Sequence, residues 1–425
     1  VCMSIRESCR IPTCRGSRAV VVRAGDMTEY QIDNLGQAAE AIRQVTADGQ
    51  RLELCGAGTK RHLGRIASYD HLLDAGGMSG IIDYQPEELV LTLRAGTPMN
   101  VVEDALAGAR QMLAFEPPSM TRILGEAQAG VRGTIGGLIA TNISGPRRLT
   151  AGAARDYLLG FEAVSGRGEH FKSGGKVMKN VTGYDLSKLM CGSFGTLGVM
   201  DEITIKTLPA PETSCSLLVG ADDFAGAVAL IARVFASPHE PGASAILPAA
   251  IAAEEGVDSG SPFTAVIRLE GIEASVRDRL GHLQEMTGGD ALVEAASVSL
   301  WQRIRDVQPL AEKPLDIWKV SCAPADAAKL LDSLDPRLNI RMIADWAGGL
   351  LWIASSKAQL GPALRKAVQG LDSGFTMLIR DVGVTREKIE PLQPLSGGMY
   401  ELHKRVKASF DPLGVLNYER MHQGI

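Results

Sequence analysis

Apolar residues recur at helical spacing over 35–47, which predicts an amphipathic helix, and a strand is read at 51–55. The strand runs into Gly56-Ala57-Gly58-Thr59-Lys60-Arg61, which reads as a loop. Residues 89–95 alternate as a strand until Gly96 breaks the pattern. Thr97 then offers an N-cap hydroxyl and Pro98 the first position of a helix reaching about residue 109. Residues 157–172 read as strand, turn and strand around Ser165-Gly166-Arg167-Gly168, and 202–207 alternate again before Pro209 and Pro211 end the region.

Beyond Pro211 the texture changes. A strand at 214–219, a helix at 222–236, strands at 243–247 and 264–269, a helix at 272–286 and a strand at 291–294 follow the order βαββαβ of a ferredoxin-like unit. The order recurs with strands at 316–321, 339–344, 350–354 and 375–379 and helices at 325–334 and 360–370, without a matching sequence repeat. Residues 402–414 read as a charged helix and turn that fold back onto the first domain. The first 26 residues, with three cysteines and five arginines, lack the apolar region of a signal peptide. They are read as a disordered tail, a weak transit-like segment or, the favoured reading, sequence upstream of a true start at Met27.

Composition narrows the class. With 425 residues the chain has room for two or three globular units. Its 44 basic and 49 acidic residues, net charge -5, leave no footprint for nucleic acid. No run approaches the roughly 20 apolar residues that cross a bilayer, so a soluble, cytoplasmic protein is expected. The seven cysteines, at 2, 9, 14, 55, 191, 215 and 322, are dispersed as reduced thiols would be, with no CxxC pair and no zinc or ferredoxin spacing. An electron-handling chain of this kind requires an organic cofactor.

Glycine is concentrated where such a cofactor would lie: 16 of the 47 glycines fall between 121 and 200. Gly56-Ala57-Gly58-Thr59 after a strand and Gly133-Thr134-Ile135-Gly136-Gly137 before an apolar helical run are the two clusters that matter. Each reads alone as a tight turn, and together they suit a pyrophosphate held by backbone N–H groups. A dinucleotide fingerprint of the GxGxxG kind fails because Arg61 stands where the third glycine is needed.

These motifs, with Pro117-Pro118-Ser119, Ala140-Thr141-Asn142 and Gly195-Thr196-Leu197-Gly198-Val199, resemble the FAD-binding fold of the vanillyl-alcohol-oxidase (PCMH) type. More narrowly, Gly145-Pro146-Arg147-Arg148, the run from Gly175 through Lys179-Asn180-Val181-Thr182-Gly183-Tyr184 to Leu186, Asp345-Trp346 and the terminal Asp411-Pro412-Leu413-Gly414-Val415-Leu416-Asn417 resemble the FAD-binding subunit of bacterial glycolate oxidase, the GlcE type, although Tyr418 and Glu419 stand where that family usually has Pro-Gly before Arg420. The resemblance implies an α+β protein: an extension at 1–27, a PCMH-type domain of two α/β subdomains at 28–211, an α+β cap with an antiparallel sheet of ferredoxin-like units at 212–395, and a C-terminal segment at 396–425 returning to the first domain. It implies that Gly56, Ala57, Gly58, Thr59, Pro118, Ser119, Gly133, Thr134, Gly136, Gly137, Thr141, Gly145, Gly195, Thr196, Gly198 and Val199 line the FAD. Core packing competes with flavin contact for Val199. The histidine that attaches FAD covalently in some relatives is replaced by Thr59, so dissociable FAD is expected, with His62 at the surface. Lys60 and Arg61 either offset phosphate charge or form a solvated pair.

Oxidising a 2-hydroxy acid requires a base, a cation for the carboxylate and a flavin. The HxH pair and Glu-His-Gly motif of the catalytic relatives have no counterpart here, where residues 395–403 read Leu-Ser-Gly-Gly-Met-Tyr-Glu-Leu-His. No catalytic residue and no metal ligand is assigned, and His403 is read as a helix-surface residue. Arg147 and Arg148 are read as forks for a carboxylate or for a partner's acidic patch, and Trp301, Trp318, Trp346 and Trp352 as core or interface anchors. The expected role is an electron-transfer or structural FAD subunit of a glycolate oxidase complex. Its expected partners are a homologous catalytic FAD subunit and an iron–sulfur subunit, with peripheral membrane and quinone association through them. A self-sufficient FAD-dependent D-2-hydroxy-acid dehydrogenase and a scaffold that has lost its flavin are the alternatives.

Overall fold

The computed structural model describes residues 20–24, 27–125, 131–175, 184–383 and 385–425. The expectations for residues 1–19 and for 176–183 of the signature run fall outside the described residues. The helix Leu35–Ala47 forms where its period placed it, opened by Asn34, whose Oδ1 accepts from Gln37 N at 3.0 Å. Strands β1 (Val20–Ala24), β2 (Met27–Gln31), β3 (Leu52–Cys55) and β4 (His71–Asp74) make the first sheet, in the order β1-β2-β4-β3. β2 and β3 run parallel to β4, as a crossover helix requires, while β1, inside the segment read as an extension, pairs antiparallel with β2.

The second sheet is antiparallel: β5 (Ile81–Gln85), β6 (Val90–Arg94), β8 (Leu158–Ser165), β9 (His170–Gly174) and β10 (Gly198–Lys206) in the order β5-β6-β10-β8-β9. The short β7 (Gln111–Met112) pairs with β11 (Leu208–Pro209) beside it. Ala38, Ala39, Ala41 and Ile42 of the first helix share one core with Val164 and Val199 of the second sheet. Small side chains let the two subdomains approach across that helix. Thr97 does not cap the next helix, Met99–Gly108: Pro98 holds the N-cap position, and the Thr97 hydroxyl instead donates to Arg94 O at 2.6 Å and accepts from Gly80 N at 2.9 Å. The local turn thus outcompetes the helix end for this hydroxyl.

The cap is one eight-stranded antiparallel sheet of β12 (Thr213–Ala221), β13 (Ala243–Pro248), β14 (Phe263–Gly271), β15 (Asp290–Val293), β16 (Asp316–Cys322), β17 (Arg341–Asp345), β18 (Leu350–Ser355) and β19 (Gly374–Arg380). Its order, β15-β12-β14-β13-β17-β18-β16-β19, is two βαββαβ units joined edge to edge through β13 and β17, where Ala245 faces Asp345 and Ile246 faces Ala344. Both expected units are present. The helix Glu294–Arg305 between them was not expected; its Leu300, Trp301 and Ile304 cover the sheet. One sheet face buries the cap's four crossover helices, and the other meets Leu63, Met120, Ile123 and Leu124 of the first domain. All four tryptophans are buried within the cap cores.

The last helix, Gly397–Phe410, leads back to the first sheet: Leu52 N donates to Val415 O at 2.8 Å and Asn417 N to Leu52 O at 3.0 Å. Buried Lys407 anchors the return, donating to Thr196 O, Asp411 Oδ2 and Leu416 O at 2.6–2.8 Å.

Candidate functional site

Strand β3 delivers Gly56-Ala57-Gly58-Thr59 to one wall of a groove, and the short helix Ile135–Thr141, capped by Thr134, stands on the other. A Cβ on Gly56 would lie 2.8 Å from Thr134 Oγ1. One on Gly133, whose φ is +84, would lie 2.5 Å from Thr59 Oγ1 and 3.0 Å from Lys60 Nζ. The loops meet too closely for side chains at these positions, which is why both carry glycine. Gly58 and Gly136, far apart in sequence, line this same groove.

The two walls contribute differently. Among the described residues none accepts from the amides of Gly56, Ala57, Gly58 or Thr59, so this loop has donors to offer an anion. At the opposite wall Ile135 N donates to Thr97 O at 3.0 Å, Gly136 N to Ala95 O at 2.8 Å and Gly137 N to Thr134 Oγ1 at 3.3 Å. The expectation that Gly136 grips a diphosphate through its amide therefore gives way to a packing role. A Cβ there would meet Ala95 at 2.8 Å, and the missing side chain seats the helix against β6.

Lys60 and Arg61 part company. Arg61 is taken up by buried Glu53, with its Nε 3.0 Å from Oε1. Lys60 lines the groove, partly buried, with no acceptor for its ammonium among the described residues, and burial pushes it down to about 8. An unpaired, desolvated cation beside free amides suits a diphosphate. Arg420 supports the loop from behind, donating to Lys60 O at 2.7 Å, Arg61 O at 3.0 Å and Leu63 O at 2.9 Å. Asn417 spans the walls: its Oδ1 accepts from Leu54 N at 2.8 Å and its Nδ2 donates to Phe194 O at 2.7 Å. The terminal signature includes Asn417 and leads into Arg420, but the sequence alone assigned neither a place at the groove.

Of the residues expected around FAD, Gly56, Ala57, Gly58, Thr59, Thr134, Gly136, Gly137, Thr141, Gly195, Gly198 and Val199 line the groove. Val199 does so while sitting in the core, so packing and lining coincide. Gly133 stands behind Thr59 and Lys60. Pro118, Ser119, Gly145 and Thr196 lie outside the lining. Ser119 N donates to Asp306 Oδ1 at 2.9 Å across to the cap, and Gly145 O accepts from Trp346 Nε1 at 3.0 Å, which makes both junction residues. The Thr196 hydroxyl is turned inward to Ser193 O at 2.7 Å. Exposed His62 and the partly exposed His403, edge-on to His422 at 5.7 Å, stand apart from the groove. Arg147 is a domain clamp, forked onto Glu270 at 2.6 and 2.8 Å and 3.6 Å from Glu116, itself held by Arg268 at 2.7 Å.

The FAD binding domain family matches residues 30–174, the stretch that carries both the Gly56–Thr59 loop and the Ile135–Thr141 helix of the groove. The glycolate oxidase subunit GlcE of Escherichia coli (strain K12) is 33% identical over 390 residues, covering 90% of this chain and 96% of that protein. The glycolate oxidase subunit GlcD of Bacillus subtilis (strain 168) is 30% identical over 223 residues, covering 52% of this chain and 44% of its own length. In three dimensions the fold is similar to a 4-ethylphenol oxidase from Gulosibacter chungangensis, with a TM-score of 0.65 at 14% identity over 94% of this chain and 91% of that one. With that identity running over nearly the whole of both chains and an FAD binding domain in its first half, the chain belongs to the glycolate oxidase subunit GlcE family.

Proposed function

We propose that this chain holds FAD without a covalent bond, its diphosphate against the 56–60 loop, and serves as the FAD-bearing subunit of a glycolate (2-hydroxy acid) oxidase complex. The observation that carries the reading is the convergence of the free Gly56–Thr59 amides and unpaired Lys60 on the Thr134–Gly137 wall. Bound FAD supplies reversible electron acceptance. The chain's own residues bind and orient it: the loop's N–H groups and Lys60 hold negative charge, Gly56 and Gly133 keep the walls close, and Asn417 and Arg420 fix the loop's shape. Thr59 at the place of the attachment histidine supports dissociable cofactor.

Histidine placement supports a role in electron transfer or architecture beside a homologous catalytic FAD subunit. His239 and His282 stack on each other in the cap at 5.5 Å, and His403 meets His422. An iron–sulfur subunit would carry electrons onward to membrane quinone, placing the chain in the cytoplasm at the inner face of the membrane through its partners. Among the described residues no helix is long and apolar enough to cross a bilayer. The test is to purify the chain alone and with its partners. Flavin absorbance that glycolate and D-lactate leave unbleached in the isolated chain, but bleach in the assembled complex, is the expected result. Bleaching by the chain alone would replace this reading with a self-sufficient dehydrogenase, and absence of flavin would leave a scaffold.

A further inference from the structure

The Lys60 side chain reaches across the groove to the wall opposite its own loop. A Cβ on Gly133 would stand 3.0 Å from Lys60 Nζ and one on Gly137 3.6 Å, which places the amine beside the start of the helix Ile135–Thr141. Among the described residues nothing accepts from this amine or from the amides of Gly56, Ala57, Gly58 and Thr59. The residue is partly exposed, so a solute in the groove has access to it.

Two other sheltered lysines are placed differently. Lys407 donates to Thr196 O, Asp411 Oδ2 and Leu416 O. Lys319 lies outside this groove, its Nζ 5.1 Å from the ring centroid of Trp346 and 5.8 Å from that of Trp352. Burial lowers Lys60 to about 8. The ionisable groups nearby are engaged or neutral: Glu53 pairs with Arg61 and Arg420, and burial pushes the Cys55 thiol of the same groove up to about 12. At pH 8 about half of the Lys60 amines therefore carry a free lone pair, against roughly one in three hundred for a lysine of ordinary basicity. A neutral amine beside unoccupied anion donors is a nucleophile with a seat for a charged electrophile.

We propose that in the flavin-free chain Lys60 is a reversible imine-forming site for phosphate-bearing aldehydes, which seat their phosphate on the Gly56–Thr59 amides and occupy the groove in place of FAD. The nitrogen lone pair attacks the aldehyde carbon, a C–N bond forms and the carbonyl π pair moves to oxygen. That oxygen leaves as water with the two hydrogens of the neutral amine, and C=N remains. No oxidant or reductant takes part, and water reverses the step. This role rests on the reading of the groove as the diphosphate site, and it makes loading with FAD depend on a free Lys60 amine. An aldehyde without an anionic group gains nothing from the loop.

The test uses the purified full-length chain, freed of flavin or loaded with it, with pyridoxal 5′-phosphate as the probe and pyridoxal as its phosphate-free control. Borohydride gives hydride to the imine carbon and fixes the adduct, and peptide mass mapping counts it at every lysine. Lys60 is expected to be labelled at least tenfold faster than exposed Lys329. It is also expected to outpace at least tenfold Lys319, which burial likewise lowers to about 8 but which has no groove before it. Pyridoxal is expected to label Lys60 at least tenfold more slowly, and saturating FAD or ADP to slow the phosphate probe as much. The initial rate is expected to rise to about pH 8 and level there, where an ordinary lysine still climbs. Lys60→Met and Lys60→Arg each abolish the fast adduct. Circular dichroism verifies folding, and Lys60→Arg, which keeps the charge, carries the test if Lys60→Met does not fold. Labelling of Lys60 no faster than Lys329 or Lys319, pyridoxal as fast as its phosphate, a rate still climbing well above pH 8, or a fast adduct surviving in a folded Lys60 variant overturns the proposal. Slow labelling in a chain that binds FAD defeats the imine site alone. Fast, phosphate-dependent labelling of Lys60 that FAD and ADP leave unchanged defeats the cofactor reading alone.

Discussion

Replacing Lys60 by Met moves stability and cofactor affinity in opposite directions. Burial pushes the ammonium from its ordinary value of 10.5 down to about 8. That displacement corresponds to about 3 kcal/mol between protonation states. Partial exposure screens it, so Lys60→Met is expected to stabilise the flavin-free chain by about 1–3 kcal/mol at pH 7. Because the folded-state pKa lies below the unfolded one, the cost is fully present below about pH 8 and fades as pH rises toward 10.5. Over that window the wild-type apoprotein gains stability and the variant does not. Affinity moves the other way: a charge-assisted contact to the diphosphate is worth about 1.5–3 kcal/mol, roughly tenfold to a hundredfold in Kd. Thermal unfolding of flavin-free protein across this pH range measures the first effect. Fluorescence titration with FAD and ADP measures the second, with riboflavin, which lacks phosphate, as the control ligand. A variant that binds FAD as tightly as the wild type, or loses riboflavin to the same degree, removes Lys60 from the diphosphate and refutes the reasoning.

Glu116→Gln leaves Arg268, 2% exposed, and Arg147 facing a neutral partner across the domain clamp. A loss of about 3–5 kcal/mol in denaturant unfolding is expected, while breaking the exposed Arg337–Asp335 pair leaves the midpoint where it was. Arg420→Ala strips the donor from three loop carbonyls and one partner from Glu53; faster proteolysis within residues 58–66 and at least tenfold weaker FAD binding are expected. Arg420→Lys does not rescue it, because a single ammonium cannot span the fork. Asp345→Asn tests the raised carboxyl: burial lifts it to about 7, so the wild type loses stability as pH climbs from about 4 through 7. The variant is expected to match the wild type near pH 4 and exceed it by roughly 2–4 kcal/mol above pH 7. Equal unfolding midpoints at pH 8 would contradict that cause.

Much of the architecture was legible because the decisive signals are periodic and local. The helix Leu35–Ala47 needs only its spacing of Leu35, Ala38, Ile42 and Val45, and the two βαββαβ series only their alternation and breaks. The helix Glu294–Arg305 escaped because Leu300, Trp301 and Ile304 give a weak stripe among polar residues, and it is the sheet beneath that makes them a core. Thr97 misled because its hydroxyl had a nearer competitor in the turn at Gly80.

The amino-acid order alone determined the element series, the positions where backbone had to pass without a side chain, and a family resemblance spread over nearly the whole chain. Tertiary structure decided which of two adjacent cations, Lys60 or Arg61, is unpaired. Glu53 comes from the strand behind the loop, and proximity across a fold has no period in sequence. It also decided that Gly136 serves packing against Ala95 while the Gly56–Thr59 amides are left as donors. Residue type fixes how many hydrogen bonds a group can make; only the packed chain determines which are already made.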